Sequence, residues 1–494
     1  MIIKTNPDEF ENYCVDSSNY KGTCDAVYFP ENTGEIAVIL KDANESKTKV
    51  TVAGNGTGLT GARVPQGGIV IATDKMNKIL EINEKEFYAI VEPAVLLSDF
   101  QNELKKQKLF YPPDPTETNC FIGGTVATNA SGAKTFKYGA TRNYVLGLEI
   151  ILPNGQMISV ERGKQTADGY CLEIKTLSGR TISFSIPDYN LPKVKNASGY
   201  YCKKNMDAVD LFIGSEGTLG IITKIKLKLL PLPEDSISCV LFFEDEPNSF
   251  DFLEKARDAS YKNRNNNLYN TINAQALEYF DESALKFLAK DFSAIPENAK
   301  AAIWFEQDCT ADSFDAILEA WNVLMQAYKV NEETAWFAFN DSDKERIKDF
   351  RHSISWKVNE YVARNNFRKL GTDVAVPDDT FRDYYFTLQS LAAQSTIDFV
   401  AYGHFGNSHI HLNLLPKTEN EFIEGKNLYK IFCEEAVKRG GTVSAEHGIG
   451  KAKRDYLLMM YGKDNINKMA SLKKSLDPNL ILGIGNIFSE EFLG

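Results

Sequence analysis

The chain has five histidines, at positions 352, 404, 409, 411 and 447, and none earlier. Four of them fall in two short motifs, "YGHFGNSHIHLNLLP" and "VSAEHGIGKAK", and the second also carries Glu446. Imidazole and carboxylate together suit zinc, manganese or iron. Two or three histidines with one carboxylate, and a position left open, describe a catalytic rather than a structural metal centre. On a straight strand His409 and His411 share a face, because side chains repeat every two residues. His404 is an odd number of residues from both and joins His411 only if Gly406 and Asn407 bend the chain. The residue pattern alone therefore leaves the ligand set open. Arg351, in "KDFRHSISWKV", has helical spacing around it. Such an arginine is ordinarily a surface charge, but beside a metal centre it can clamp a carboxylate through two parallel hydrogen bonds.

A second chemistry is written in glycine. "AGNGTGLTGARVPQGGIVIAT" (53–73) contains G-x-G-x-x-G at Gly56, Gly58 and Gly61. A Rossmann phosphate turn requires a strand before that pattern and a helix after it. The strand is there, but Pro65 and the Gly67-Gly68 pair oppose a helix, and "IVIAT" reads as a second strand. Glu81 lies about where a ribose-binding acid is sought, yet acids are common in this chain. The unit is strand, glycine loop, strand. Such a loop can adopt positive φ and present successive N–H groups to an anion; a plain hairpin loop is the alternative. Two further glycine-rich segments, 112–155 and 195–223, suit a long ligand lying along backbone, or else a densely packed scaffold.

These residues need elements to hold them. Strand-like runs at 48–53, 69–73, 88–92, 145–152 and 219–229 dominate the first half. In "LGIITKIKLKLL" the apolar residues and Thr223 occupy one face and three lysines the other. Segment 97–109 has helical spacing and an early serine suited to capping. "PLPEDS" (231–236) marks a boundary, after which helix-like stretches at 313–327 and 342–363 alternate with strand-like runs at 236–243, 302–306 and 397–403. Near the end, a helix stops at Asp477-Pro478 and an apolar tail follows. The divisions expected are 1–235, 236–440 and 441–494, and the class is α+β. At 494 residues more than one core is required. A formal net charge of −12 argues against a broad nucleic-acid surface. No apolar stretch approaches membrane-spanning length, and the start lacks a signal-peptide pattern. The eight cysteines contain no C-x-x-C, which speaks against a zinc ribbon or an iron–sulfur cluster and for reduced thiols in a cytoplasmic protein.

Taken together, the Gly54–Gly61 loop, "GGTVATNASG…YGATR", "GSEGTLGIIT", "GHFGNSHIHLN" and "EHGIG" resemble the vanillyl-alcohol oxidase / p-cresol methylhydroxylase flavoprotein superfamily, over about residues 20 to 488. Within it the chain is similar to the D-lactate, D-2-hydroxyglutarate and glycolate dehydrogenase branch. The resemblance implies a non-Rossmann, two-subdomain FAD-binding fold over 1–235 and an α+β cap over the flavin at 236–440. It implies a C-terminal segment, 441–494, packing back on the FAD domain. Gly54, Asn55, Gly56, Thr57, Gly58, Leu59 and Gly61 map onto the pyrophosphate loop. Pro115, Gly124, Ser131, Tyr138 and Gly139 map onto the segment beside the flavin, and Glu216, Gly217 and Ile221 onto the adenine end. His404, His411 and Glu446 align with the metal ligands, zinc foremost with manganese or iron as alternatives. His447 aligns with the active-site base and Arg351 with a substrate-carboxylate arginine; Asn413, His409 and Lys369 are further substrate candidates.

The sequence departs from the family pattern in three places. His409 stands where relatives carry asparagine. "GIGN" replaces N-P-G-K, so a basic residue expected at 486 is missing. Gly371 stands where the hydroxyglutarate enzymes carry a lysine, with Lys369 two residues earlier. The last favours a smaller acid. Many superfamily members tether the flavin through a histidine of the FAD domain; none exists here before 352, so FAD is expected to be non-covalent. The expected reaction is oxidation of a D-2-hydroxy acid, D-lactate foremost, with electrons passed to a quinone, an electron-transfer flavoprotein or an iron–sulfur partner. The location expected is the cytoplasm or the inner face of its membrane, and a homodimer is compatible. The rivals are a D-2-hydroxyglutarate or glycolate dehydrogenase, a non-catalytic electron-transfer subunit, and a transferase resembling alkyldihydroxyacetonephosphate synthase.

Overall fold

The fold is given by a computed structural model describing residues 1–494. Ile2–Lys4, Ala26–Phe29, Ile69–Ala72 and Val50–Ala53 form the first sheet, in that order. The last three run parallel to one another, and Ile2–Lys4 runs antiparallel to Ala26–Phe29. Helix Thr33–Ser46, capped by the Asn32 side chain accepting from Glu35 N, covers this sheet with Ile36, Ile39 and Leu40. The glycine loop joins Val50–Ala53 to Ile69–Ala72 with no helix between. That absence removes the Rossmann reading, as Pro65 and the glycine pair require.

A second, antiparallel sheet has the order Ile79–Asn83, Tyr88–Val91, Ile221–Lys228, Val145–Ile151, Met157–Glu161. Its central strand, Ile221–Lys228, buries Ile221, Thr223, Ile225 and Leu227, the face that the alternation selects. Helix Leu97–Lys106 forms within the predicted segment, but its N-cap is Leu96, without a side-chain cap, and Ser98 lies inside the helix.

The third sheet has eight strands and is built largely from 235–415. Adjacent residues of its central strands point to opposite, equally buried faces, so these strands read as apolar runs such as "CVLFF". Val240, Phe242 and Trp304 meet Phe350, Ile354 and Val358 of helix Asp341–Arg364. Leu241, Ile303 and Phe305 meet helices Glu246–Asn265, Phe314–Ala327 and Asp378–Ala393.

The chain ends on its beginning. Helix Arg454–Leu476 changes direction at Gly462 (φ 74°) and stops before Asp477-Pro478. The tail then bridges the first sheet: Val50 N donates to Ile481 O at 2.7 Å and Gly483 N to Val50 O at 2.9 Å.

Candidate active site

A cavity of about 630 Å³ runs between these layers. Gly54 to Leu59 line it, as do Pro115, Gly124, Ser131, Glu216, Gly217 and Ile221. A Cβ on Gly124 would meet nothing within 4 Å, so the glycine widens the cavity rather than easing a turn. No backbone N–H from Asn55 to Thr60 donates to another protein atom. Six successive free donors on a loop with Gly56 at φ 81° form a concave anion cradle. That donor set and the long cavity fit a dinucleotide with a pyrophosphate. Gly61 stands behind the cradle, its N–H donating to Asp16 Oδ2 at 2.8 Å. Tyr138 and Gly139 do not line the cavity: the Tyr138 hydroxyl donates to Asp308 instead.

At one end lie the histidines. Strand Asp398–Gly403 ends at Gly403 (φ 142°), where a Cβ would press on His409 O, and a single 3-10 turn, Phe405–Asn407, follows. Ser408, at φ 51°, returns the chain to strand His409–Leu415. This is the bend that lets His404 and His411 converge. His404 Nε2 and His411 Nε2 each lie 3.2 Å from Glu446 Oε1. Their other nitrogens are committed: His404 Nδ1 to Glu278 Oε1 at 2.7 Å, His411 Nδ1 to Thr372 O at 3.0 Å. Both imidazoles thus present Nε2 to one carboxylate oxygen, while an acceptor oxygen holds Nδ1 from behind. This is the arrangement of metal-ligating histidines, and the donor set fits a divalent cation.

His409 is fully buried and both its ring nitrogens are engaged. Nε2 lies 3.0 Å from Asp373 Oδ1 and Nδ1 3.2 Å from Lys195 Nζ. Lys195 also holds Glu446 Oε2 at 2.6 Å. Burial works against ionised Glu446, but Lys195 and His404 outweigh it and keep the carboxyl well below its ordinary range.

His447 faces the cavity, with Nδ1 3.4 Å from Asp373 Oδ2 and Nε2 3.8 Å from Glu446 Oε1. Burial pushes it down to about 3, so the ring is neutral at pH 7. Asp373 organises the whole segment. Its carboxylate accepts from Glu446 N at 3.2 Å, His447 N at 3.0 Å, Ser444 Oγ at 2.6 Å and Lys453 Nζ at 2.7 Å.

Arg351 is buried; Nη1 donates to Thr116 Oγ1 at 2.7 Å and Nη2 to Glu278 Oε2 at 3.4 Å. Lys369, His411, Glu446 and His447 line the cavity, whereas Arg351, His404, His409 and Asn413 stand behind its wall. A Cβ on Gly371 would collide with Asn413 Oδ1 and stand 3.0 Å from Lys369 Cε, so this glycine makes room for both. Asn413 Nδ2 donates to His411 O at 3.1 Å. At position 486, Asn486 Oδ1 accepts from Lys451 Nζ at 2.6 Å; a cation reaches the place from residue 451 instead. Neither residue type nor spacing marks Lys195, Glu278, Asp373 and Lys453 as part of the site. The available signal was a charge inside an apolar strand-like run, as in "ALEYF" and "DVAVP".

Comparison with known proteins supplies the rest. The pattern of the family described as "FAD binding domain" matches residues 24–161, and that of "FAD linked oxidases, C-terminal domain" matches 265–487. Glycolate oxidase subunit GlcD of Bacillus subtilis is 30% identical over 507 residues, covering 99% of this chain and 96% of that protein. D-lactate dehydrogenase of Anaerostipes hadrus is 30% identical, covering 92% and 88%. D-2-hydroxyglutarate dehydrogenase of Stutzerimonas stutzeri is 27% identical, covering 99% and 96%. A solved structure of alkyldihydroxyacetonephosphate synthase superposes with TM-score 0.63 at 15% identity, over 97% of this chain and 82% of that one, a likeness of fold alone.

Proposed function

Since the chain belongs to the FAD-linked oxidoreductases of the vanillyl-alcohol oxidase / p-cresol methylhydroxylase superfamily, we propose that it oxidises a D-2-hydroxy acid, D-lactate foremost, to the 2-oxo acid. The observation that carries this reading is the convergence of His404 Nε2 and His411 Nε2 on Glu446 Oε1 at one end of the FAD cavity. These three residues would hold a divalent metal, zinc first and manganese or iron otherwise. FAD, when bound, would accept the hydride, and a metal held here would lower the pKa of a hydroxyl that reached it. The cradle from Asn55 to Thr60, flanked by Gly54 and Gly61, would hold the pyrophosphate without a covalent link. His447 takes the substrate's hydroxyl proton at Nε2, the nitrogen turned away from Asp373. Arg351 orients the substrate carboxylate from beside Thr116. His409 is a buttress between Asp373 and Lys195, and Asn413 steadies the strand end beyond His411. In this reading 1–235 is the FAD domain, 236–440 the cap and 441–494 the returning segment.

Lys369 on the cavity wall favours a second reading, a substrate with a distal carboxylate such as D-2-hydroxyglutarate. Electrons leave to a quinone, an electron-transfer flavoprotein or an iron–sulfur partner. No helix of the structure is long and apolar enough to cross a membrane. Anaerobic titration of the purified flavoprotein with D- and L-2-hydroxy acids tests the function. D-lactate is expected to bleach the flavin and L-lactate to leave it yellow. Bleaching by D-2-hydroxyglutarate alone would select the second reading, and no bleaching by any hydroxy acid would overturn both.

A further inference from the structure

The loop that carries Glu446 and His447 is fastened directly to the cofactor cradle. Lys451 N and Ala452 N both donate to Thr60 O, at 2.9 and 3.0 Å. Lys451 Nζ donates to Gly61 O at 3.2 Å and to Asn486 Oδ1 at 2.6 Å. Asn486 Nδ2 donates in turn to Ala62 O at 2.8 Å and Glu216 O at 3.1 Å. The Glu216 carboxylate accepts from Ile449 N at 2.7 Å and Gly450 N at 2.6 Å, which closes a ring. Glu216, Lys451 and Asn486 are all buried. Thr60 and Glu216 line the cavity as well.

The ring has no slack. Gly450 adopts φ 51°, and a Cβ there would collide with Thr60 O. Packed elements of this kind switch between discrete arrangements rather than yield gradually. On one side of the ring stand the peptides Asn55–Thr60, whose N–H groups have no protein partner. An anion that accepts their hydrogen bonds would bear on Thr60 O and Gly61 O through the same peptides. On the other side stand Glu446 and His447, two to six residues from the backbone atoms that Thr60 and Glu216 hold. Order supplied by one ligand need not be supplied again by the second.

We propose that this ring couples the two halves of the site, with Lys451 and Asn486 as positioning residues. FAD raises the affinity of the His404–His411–Glu446 centre for a divalent metal, and the metal raises the affinity for FAD by the same factor, as linkage requires. The inference rests on the proposed function in one respect, that this centre binds a divalent metal.

The test uses the full chain, metal-stripped with a chelator, in FAD-loaded and FAD-stripped forms. Zinc affinity is read by competition with a chromophoric chelator. Zinc should bind roughly 5–150-fold more tightly to the FAD-loaded form, the usual span of such coupling. Flavin fluorescence, with and without zinc, should return the same factor for FAD. Lys451→Met and, independently, Asn486→Leu should reduce the ratio below about twofold while zinc affinity of the FAD-stripped form stays within about twofold of wild type. Should one variant fail to fold, the other and the reciprocal wild-type measurement carry the test. Equal zinc affinity with and without FAD overturns the coupling and leaves the metal centre standing. Wild-type coupling retained in both variants overturns the role of the ring. Absence of zinc binding in either form overturns the metal reading itself.

Discussion

The two ends of the cavity recognise their ligands by opposite means. At the cradle, Asn55–Thr60 offers backbone N–H groups, with Gly56 and Gly58 leaving room before them. At the histidine end, backbone serves only to aim side chains, and each functional group is held by a partner distant in sequence: His404 by Glu278, His411 by Thr372, Glu446 by Lys195. A backbone site tolerates many residue types provided that none is bulky. A side-chain site fails when one atom moves, and the difference should appear in how substitutions behave.

The largest effect is expected from His447→Ala. Flavin reduction should slow by roughly 10²–10⁴-fold, the usual worth of a positioned general base, with FAD and metal still bound. Rapid-mixing absorbance at the flavin band measures it, and wild-type rates would remove His447 from the mechanism. His404→Ala should lose the metal outright, whereas His409→Asn should retain it with a loss of about 10–100-fold in affinity or less, the range for outer partners of metal ligands. Elemental analysis of both proteins decides, and the reverse order would mean that His409 is the ligand.

At the cradle, Gly56→Val places a side chain against the Arg63 guanidinium at φ 81°, a strain that only this end should feel. FAD affinity is expected to fall by tenfold or more, about 1.4 kcal/mol, while saturating zinc still fills the histidine end. Acid precipitation of the wild-type protein should release all of the flavin to the supernatant. Yellow colour left in the pellet would reveal a covalent tether and a different means of retention.

The smallest effect concerns His352, which lines the cavity and is not used in the proposed chemistry. Burial, then Arg351 and Lys348, pushes it down to about 3 from 6.5. The unfolded chain therefore binds more protons than the folded one between those values. The neutral ring's contribution to stability is present above pH 6.5 and is lost as pH falls toward 3. His352→Gln should flatten that part of the pH–stability curve; an unchanged curve would show that the ring is solvated.

The same contrast explains what the sequence disclosed. Strands such as Ile221–Lys228 were legible because one buried face imposes a period of two. The non-Rossmann character of the glycine loop was legible because Pro65 and Gly67-Gly68 exclude a helix whatever surrounds them. Ser98 misled, because a serine near a helix start caps it only if it precedes the first turn, and here Leu96 takes that place. The two histidine motifs stood out by residue type. Choosing between His409 and His404 required the bend at Gly403–Ser408, a conformation that spacing permits but does not impose. Lys195, Glu278 and Asp373 were illegible because their significance lies in contacts far along the chain, as the pairs Lys195–Glu446 (251 apart), Glu278–His404 (126 apart) and Asp373–His409 (36 apart) show.

The central claim is that one cavity joins FAD to a metal centre that promotes oxidation of a 2-hydroxy acid. It is tested most directly by anaerobic flavin reduction with D-lactate before chelation, after chelation, and after zinc, manganese or iron is restored. Chelation should slow flavin reduction by about 10²-fold or more, the scale of one lost electrostatic stabiliser of the transition state, and one of the three metals should restore it. Undiminished reduction in a protein shown by elemental analysis to be metal-free would contradict the claim.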